Sequence, residues 1–367
     1  MNRDQSRSAR LVERLTRAGL DGVILMPGPN LRYLTGLALH VSERPIIVCL
    51  NREGRLVVLL PGFEGGRAQG VFPGAEFVSY TDEVGYAPAF AELAQVLALG
   101  GKRLAVEYQN MRVLELRALE AAAPSAEYVS LEEHLPGLRA VKDEEELAAL
   151  RTAIDITQAA LRTMFTWPVV GWSERQLAER LSAEMMGRGA DSVAFMIVVA
   201  GPNGADPHAG PSDRPLQPGD LVTIDCGAVH DGYTADITRT FAIGEIEPQL
   251  VEIYEVVRQA NAAGRAAVRP GVAAQEIDRA ARAVIERAGY GRYFTHRTGH
   301  GLGIETHEPP YMVEGNELRL EPGMVFTVEP GVYVPGLGGV RIEDDVVVTA
   351  EGGASLTSFP REWTSLA

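Results

Sequence analysis

The sequence predicts a two-domain protein of the mixed α/β class (α+β). Its 367 residues favour two domains that each bury a proper core. Strand-like and helix-like stretches alternate up to about residue 130, which is typical of an α/β domain. The last third contains two β-hairpin patterns, separated by helical stretches near 248–268 and 274–288. An α/β domain followed by a second domain with two hairpins is therefore expected.

The first domain begins with a helix over residues 8–19, where apolar residues recur at helical spacing up to Gly19, a good helix stop. The Pro27–Asn30 stretch is then expected to break the chain. Predicted strands follow the β-branched runs at 23–26, 46–50, 56–60, 76–80 and 104–106. Predicted helices lie near 88–99 and 112–122.

The domain boundary is predicted at the turn Leu135-Pro136-Gly137, giving domains of residues 1–135 and 136–367. Acidic residues from Asp143 to Glu146 favour a helix start, because they complement the positive end of the helix dipole. The predicted elements after the boundary are helices over 143–165 and 173–187 and a strand over 195–199.

The first hairpin has strand-like arms at 221–227 and 233–238 around the turn at Asp231-Gly232. Asp225 and Asp236 lie about equally far from that turn. Antiparallel pairing is expected to bring these two carboxylates close together.

The second hairpin is predicted to pair 324–329 with 340–343 around the turn at Pro335-Gly336. Glu329 and Glu343 flank this turn as the two aspartates flank the first one.

Four carboxylates among β-branched residues predict a metal site, because unpaired buried charge is very costly. Two divalent cations would cancel about four negative charges, and His300 would supply one neutral nitrogen ligand. A carboxylate-rich pair of this kind suits Mn²⁺ best, with Co²⁺ or Zn²⁺ as alternatives.

Five motifs resemble those of the M24B metallopeptidases, the group of prolidases, aminopeptidase P and creatinase. They are Asp-Cys-Gly with Tyr-Thr-Ala-Asp-Ile-Thr-Arg-Thr (within 225–240), Thr-Gly-His-Gly-Leu-Gly (298–303), His-Glu-Pro (307–309), Val-Glu-Pro-Gly (328–331) and Val-Arg-Ile-Glu-Asp (340–344). The resemblance covers essentially the whole chain. It implies a creatinase-like N-terminal domain followed by a pita-bread catalytic domain.

The resemblance also implies roles for the five ligands. Asp225 would hold one metal, His300 and Glu329 the other, while Asp236 and Glu343 would bridge both. The attacking group would be a hydroxide that bridges the two metals. Glu329 would accept the proton of the water that gives this hydroxide and pass it to the leaving nitrogen.

Further site residues are expected from the same resemblance. His208 and His307 would line the active site and bind the substrate and its developing charge. Arg341 would neutralise the acid cluster, or orient a ligand carboxylate or the substrate's carboxylate. Tyr233 is a weaker candidate for contact with metal-bound water or substrate. Four histidines are interpreted as structural or surface residues (His40, His134, His230 and His296), Arg239 as structural, and Glu308 as part of a loop.

The expected reaction is hydrolysis of Xaa-Pro dipeptides. Aminopeptidase P is the alternative, since it would share every ligand, and an M24 peptidase of other specificity or a non-catalytic binding module also stays open. The short linker 335–339 lacks the arginine-bearing insertion of longer prolidases, which leaves recognition of the substrate's carboxylate unassigned.

Composition limits the possible partners. The net charge of −15 disfavours nucleic acid and anionic membranes, which are bound through basic surfaces. The first seven residues have no apolar signal region, so a cytoplasmic protein is expected. Cys49 and Cys226 lie in apolar runs and are predicted to be buried thiols. The family resemblance implies a homodimer.

Overall fold

The computed structural model describes residues 3–71 and 74–366. Contacts between Cα atoms divide the chain into two units, one ending at Arg139 and the other beginning at Ala140. The domain limits 1–135 and 136–367 stay a prediction, because division by contacts does not by itself define a domain. No helix within the described residues is both long enough and apolar enough to cross a bilayer.

The first unit is a mixed six-stranded sheet with helices on both faces. Its strands are β1 (Gly22–Leu25), β2 (Ile47–Asn51), β3 (Leu56–Pro61), β4 (Glu76–Tyr80), β5 (Arg103–Val106) and β6 (Glu127–Ser130). Its helices are α1 (Arg3–Arg17), α2 (Pro29–Thr35), α3 (Gly65–Val71), α4 (Ala87–Val96), α5 (Val113–Ala122) and α6 (Leu131–His134). The strands lie in the order β4-β3-β2-β1-β5-β6.

Period-two alternation sends the apolar residues of each central strand to two cores. In β3, Val57 and Leu59 pack with residues of α4 and α5, whereas Val58 and Leu60 pack with α2 and α3. Strands buried on both faces explain the continuous apolar runs in the sequence. Cys49 lies in the first of these cores, and burial raises the pKa of its thiol to about 12.

The structure differs from the sequence prediction in this unit at several elements. Helices α2, α3 and α6 and strand β6 were not predicted. The chain was expected to break over Pro27–Asn30. This prediction is wrong at Pro29 and Asn30, because α2 begins at Pro29. Proline suits the first position of a helix because its missing N–H has no helical partner there.

The second unit contains four helices of at least 14 residues and eleven strands. The helices are α7 (Glu144–Thr163), α8 (Glu174–Gly187), α9 (Pro248–Ala267) and α10 (Ala274–Arg287). The strands are β7 (Ser192–Ala200), β8 (Leu221–His230), β9 (Tyr233–Thr234), β10 (Ile237–Ala242), β11 (Gly299–Gly301), β12 (Glu308–Met312), β13 (Val325–Val328), β14 (Gly331–Val334), β15 (Gly338–Arg341), β16 (Asp344–Val348) and β17 (Gly353–Ser355).

Three sheets make up this unit. The first has the order β10-β8-β7 with β9 paired to β8, the second has the order β12-β11-β13-β16-β17, and β14 pairs with β15. Helices α7 and α8 pack on the first sheet, and α9 and α10 pack on β14, β15 and the second sheet. Asp143 and Glu146 form a capping box at the start of α7, as the acidic stretch predicted.

The first predicted hairpin is confirmed. Asp231 and Gly232 both have positive φ (49° and 75°), as a tight turn between twisted strands requires. Asp225 pairs with Thr238, and the same register places Asp236 opposite Gly227. The two aspartates are therefore diagonal neighbours on one face of the sheet.

The second predicted hairpin is correct at its turn and wrong in its arms. The turn at Pro335–Gly336 joins β14 to β15, and β13 pairs instead with β16, with Val328 opposite Asp344. Pro330 lacks the N–H that would extend the ladder of β13. Glu329 follows β13 and Glu343 precedes β16, so both acids still stand at the base of the β14–β15 hairpin.

Replacing Gly227 with alanine should lower the free energy of unfolding by about 1–3 kcal/mol. A Cβ at this position would overlap the backbone carbonyl oxygen of Ala235, next to Asp236. Equilibrium urea unfolding measures the change. Gly210→Ala is the matched control, because a Cβ there meets no heavy atom within 4 Å. Equal losses in the two variants would contradict this account.

Candidate metal centre

The structure brings the five predicted ligands together in the second unit. Within each of three overlapping groups, one donor atom per residue lies within 4.8 Å of the others. The groups are Asp225, Asp236 and Glu343; His300, Glu329 and Glu343; and Asp236, His300 and His307. Because the groups share members, they form one continuous cluster of four carboxylates and two imidazoles.

Strands contain two of the predicted ligands and directly flank the other three. Asp225 lies in β8, and Asp236 lies between β9 and β10 of the same sheet. His300 lies in β11, while Glu329 and Glu343 lie beside the paired ends of β13 and β16. The backbone N–H of Glu343 donates to the carbonyl of Thr238 at 3.1 Å, which links the two sheets at the cluster.

His300 presents one nitrogen to the carboxylates. Its Nδ1 lies 3.1 Å from the carbonyl oxygen of Gly301, which can only accept, so Nδ1 carries the hydrogen. Its Nε2 then faces the Glu329 carboxylate at 3.2 Å and the Asp236 carboxylate at 3.7 Å. A neutral imidazole held by a carbonyl in this way is a typical metal ligand.

Burial and neighbouring charges shift the pKa values of three of these carboxylates. Burial raises the pKa of Asp236 and of Glu343 well above the ordinary value, and neighbouring negative charges raise both further. Burial acts in the same direction on Glu329, but its interactions with His300, His296 and Arg341 outweigh burial and lower its pKa to about 2. The cluster therefore has more negative charge than its protein surroundings compensate.

Divalent cations fit this arrangement. The Oδ1 atom of Asp225 is buried without a hydrogen-bond partner among the described residues, which leaves a lone-pair donor beside Asp236 and Glu343. Carboxylate oxygens with one imidazole nitrogen are a suitable donor set for a first-row divalent metal.

Arg341 orients one of the ligands. Its Nη2 donates to Asp225 at 2.5 Å, its Nη1 to the hydroxyl of Tyr333 at 2.9 Å and its Nε to the hydroxyl of Thr238 at 3.1 Å. Each nitrogen of this buried guanidinium thus has a protein partner. The geometry favours the expected ligand-orienting role over binding of the substrate's carboxylate.

The cluster lines a cavity of about 610 Å³. His208 and His307, both exposed, line the same cavity, and the His307 ring centroid is 4.0 Å from that of His300. The other walls include Ala194, Phe195, Ile197 and Pro207. The structure therefore places the two predicted histidines beside the ligand cluster, next to an apolar wall.

His296 was missed as a site residue. It was interpreted as structural or surface, yet it lines the cavity, and its Nε2 is 2.8 Å from the hydroxyl of Tyr333. Burial lowers its pKa. Its place four residues before His300 was the only signal, and a lone histidine in an irregular segment carries little information.

Two other interpretations need correction. Glu308 is not in a loop: it begins β12, is buried and pairs with the buried Lys142. Tyr233 does not line the cavity, because its buried hydroxyl donates to Glu146 at 3.0 Å. Arg239 is structural as predicted, and it is buried and paired with Asp344.

Lys142→Met should lower the free energy of unfolding by about 3–5 kcal/mol, because it leaves the buried Glu308 carboxylate without its ammonium partner. Thermal and urea unfolding measure the loss. Adding Glu308→Gln should recover part of it. Arg175→Met, which breaks an exposed pair with Asp213, is the control and should leave stability unchanged. A Lys142→Met variant as stable as the parent would contradict a stabilising Lys142–Glu308 pair.

Mn²⁺ binding to the metal-free protein should release protons, because burial raises the pKa of Asp236 and of Glu343 and a carboxylate binds metal only after deprotonation. A carboxyl group whose pKa is raised by folding contributes its full stability below the unfolded-state pKa of about 4. This contribution is lost as the pH rises through the folded-state pKa. The metal-free protein should therefore lose stability with rising pH, and Mn²⁺ should reverse the loss.

Titration calorimetry in two buffers of different ionisation enthalpy measures the protons released. The Glu343→Gln variant should release fewer protons than the parent protein. Identical heats in both buffers would show that no proton leaves and would contradict the raised pKa values.

The comparisons with known proteins agree with this site. The sequence profile described as metallopeptidase family M24 matches residues 148–350, and the creatinase/prolidase N-terminal domain matches residues 7–141. The chain is 35% identical to the Xaa-Pro dipeptidase of Lactobacillus delbrueckii subsp. lactis over 351 residues, which are 95% of each protein.

Solved structures agree as well. A prolidase from Thermococcus sibiricus matches with a TM-score of 0.92 and 35% identity, over 100% of this chain and 99% of that one. An X-Pro aminopeptidase from Thermotoga maritima matches with a TM-score of 0.85 and 29% identity, over 98% and 99%. The resemblance predicted from the motifs is confirmed. The chain belongs to metallopeptidase family M24, whose members use divalent metal ions, and it has the creatinase/prolidase type of N-terminal domain.

Proposed function

We propose that this protein is an Xaa-Pro dipeptidase that works with two divalent metal ions, Mn²⁺ by preference. The observation that carries the proposal is the single cluster of four carboxylates and His300 on one cavity. The similarity to proteins named Xaa-Pro dipeptidase and prolidase supports the choice of substrate.

The two ions would be held by Asp225, Asp236, His300, Glu329 and Glu343. Bound there, they would polarise the scissile carbonyl and lower the pKa of water toward neutrality. Burial and then neighbouring negative charges raise the pKa of Asp236 and of Glu343, and two cations would offset both effects, which supports this assignment.

The remaining steps are assigned to side chains of this chain. Glu329 is the least buried of the carboxylates, with 14% of its side chain exposed, and would carry a proton from water to the leaving nitrogen. His208 and His307 would donate hydrogen bonds to the substrate and to the charge that develops on its carbonyl oxygen. Arg341 would keep Asp225 in place.

A proline ring suits the apolar wall of the cavity. Phe195, Ile197 and Pro207 offer hydrocarbon surface near the ligands, and proline brings no amide hydrogen that would lose a partner there. This is the reason for proposing cleavage before proline.

Aminopeptidase P activity is the second candidate. The similarity to the X-Pro aminopeptidase of Thermotoga maritima favours it, since both activities would share the five ligands. An M24 peptidase of another specificity would place a side chain other than proline against the apolar wall. A non-catalytic binding role is disfavoured, because all five ligands are retained. The homodimer and the cytoplasmic location stay predictions.

The test is hydrolysis by metal-stripped protein reconstituted with Mn²⁺. Ala-Pro, Ala-Pro-Ala and the proline-free Ala-Ala are compared, and cleavage of Ala-Pro is expected to dominate. Faster release of alanine from Ala-Pro-Ala would instead assign aminopeptidase P. Failure to cleave either proline peptide, with metal shown to be bound, would contradict both.

Glu329→Gln should abolish turnover of Ala-Pro, because the amide neither binds metal strongly nor carries the proton. Glu314→Gln, an exposed change in the same unit, is the matched control and should keep full activity. Comparable turnover in the two variants would exclude the proton-carrying role.

A further inference from the structure

One cationic side chain in the cavity wall has no acidic partner. Two arginines line the cavity, and all three nitrogens of Arg341 already bind protein groups. Across residues 3–71 and 74–366, no hydrogen bond or ion pair is found for the guanidinium of Arg297. Its contact is with the ring of Tyr311, whose centroid is 4.4 Å from Cζ.

The position of Arg297 is tied to that of a proposed ligand. Arg297 precedes His300 by three residues, and Tyr311, on which it stacks, is the cross-strand partner of His300. Directly paired residues of antiparallel strands point to one face, with Cβ atoms about 4.5–5.5 Å apart. The stack therefore holds the guanidinium beside the cluster.

Electrostatics supports the same placement. Burial, followed by the proximity of His300 and of Arg297, lowers the pKa of His307 to about 4. The positive charge of Arg297 is thus felt inside the cavity, next to a proposed substrate-binding histidine.

The chemistry of the stacked arginine favours a carboxylate. The Arg297 guanidinium lies over the Tyr311 ring, and its N–H groups have no acceptor within the described residues, so they are available to a ligand. A carboxylate matches this fork with two parallel hydrogen bonds and supplies the missing negative charge.

We propose that Arg297 binds the free α-carboxylate of the Xaa-Pro substrate and thereby favours dipeptides over longer chains. The inference rests on the proposed function. A dipeptide carries its free carboxylate on the residue that directly follows the scissile bond. A longer peptide has a neutral amide there, which leaves the Arg297 charge unpaired. Arg297 thus supplies the recognition that the short 335–339 linker leaves unassigned.

An acidic side chain before proline could offer the same chemistry. The experiment therefore uses three substrates: Ala-Pro, its C-terminal amide Ala-prolinamide, and Glu-Pro. Arg297→Met and Arg297→Lys are compared with the Mn²⁺-loaded parent. Arg292→Met is the matched control, because Arg292 also stacks on a tyrosine, Tyr293, but is exposed and does not line the cavity.

Arg297→Met should lower kcat/KM for Ala-Pro by about 10- to 100-fold, the range expected for a charged hydrogen bond. Ala-prolinamide should be cleaved as by the parent, so the preference for the acid disappears. Arg297→Lys should retain part of the preference, and Arg292→Met should retain all of it. Calorimetric affinity for the product proline should fall in Arg297→Met by a similar factor, with affinity for prolinamide unchanged.

Three results would overturn the inference while the proposed function stands. They are an unchanged preference for Ala-Pro over its amide in Arg297→Met, an equal loss on both substrates, and a loss confined to Glu-Pro. Equal losses would assign a structural role, and a loss on Glu-Pro would assign recognition of the residue before proline. Absence of Xaa-Pro cleavage by the metal-loaded parent would remove the proposed function and this inference together.

Discussion

Compensation of buried negative charge is the constraint on which the second unit depends. Donor atoms of Asp225, Asp236 and Glu343 lie within 4.8 Å of one another, and Glu329 lies within the same distance of Glu343, where water cannot screen these charges fully. Protein groups offset part of the repulsion, chiefly Arg341 on Asp225. Burial, together with the negative charges that stay uncompensated, raises the pKa of Asp236 and of Glu343. Divalent ions supply the missing positive charge without adding bulk.

The scaffold behind the cluster resists that repulsion. The buried guanidinium of Arg239 donates to the backbone carbonyls of Thr238 and Glu343 and pairs with Asp344 at 2.8 Å. Arg361 also binds Asp344, so the C-terminal segment is joined to the same point. These bonds connect the sheet that contains Asp225 with the sheet that contains His300. Ligands from the two sheets are thus kept in register by an ion-pair network away from the cavity.

The two arginines that line the cavity differ in their contacts. Arg341 is buried and holds Asp225, whereas Arg297 is half-buried, stacks on Tyr311 and has no acidic partner among the described residues. One charge belongs to the metal centre, and the other is available to a ligand. If Arg297 binds the substrate's carboxylate as proposed, this division lets a site with so many carboxylates attract an anionic peptide terminus.

The sequence alone predicted the five candidate ligands, most helices and strands, and the first hairpin with its turn, because these depend on local periodicity, turn chemistry and motif. Only the tertiary structure decided that β13 pairs with β16, that Glu308 is buried against Lys142, and that His296 and Arg297 line the cavity. Those features rest on contacts between residues far apart in the chain. Local pattern carries no information about such contacts, so hydrogen-bond ladders and packing between sheets had to reveal them.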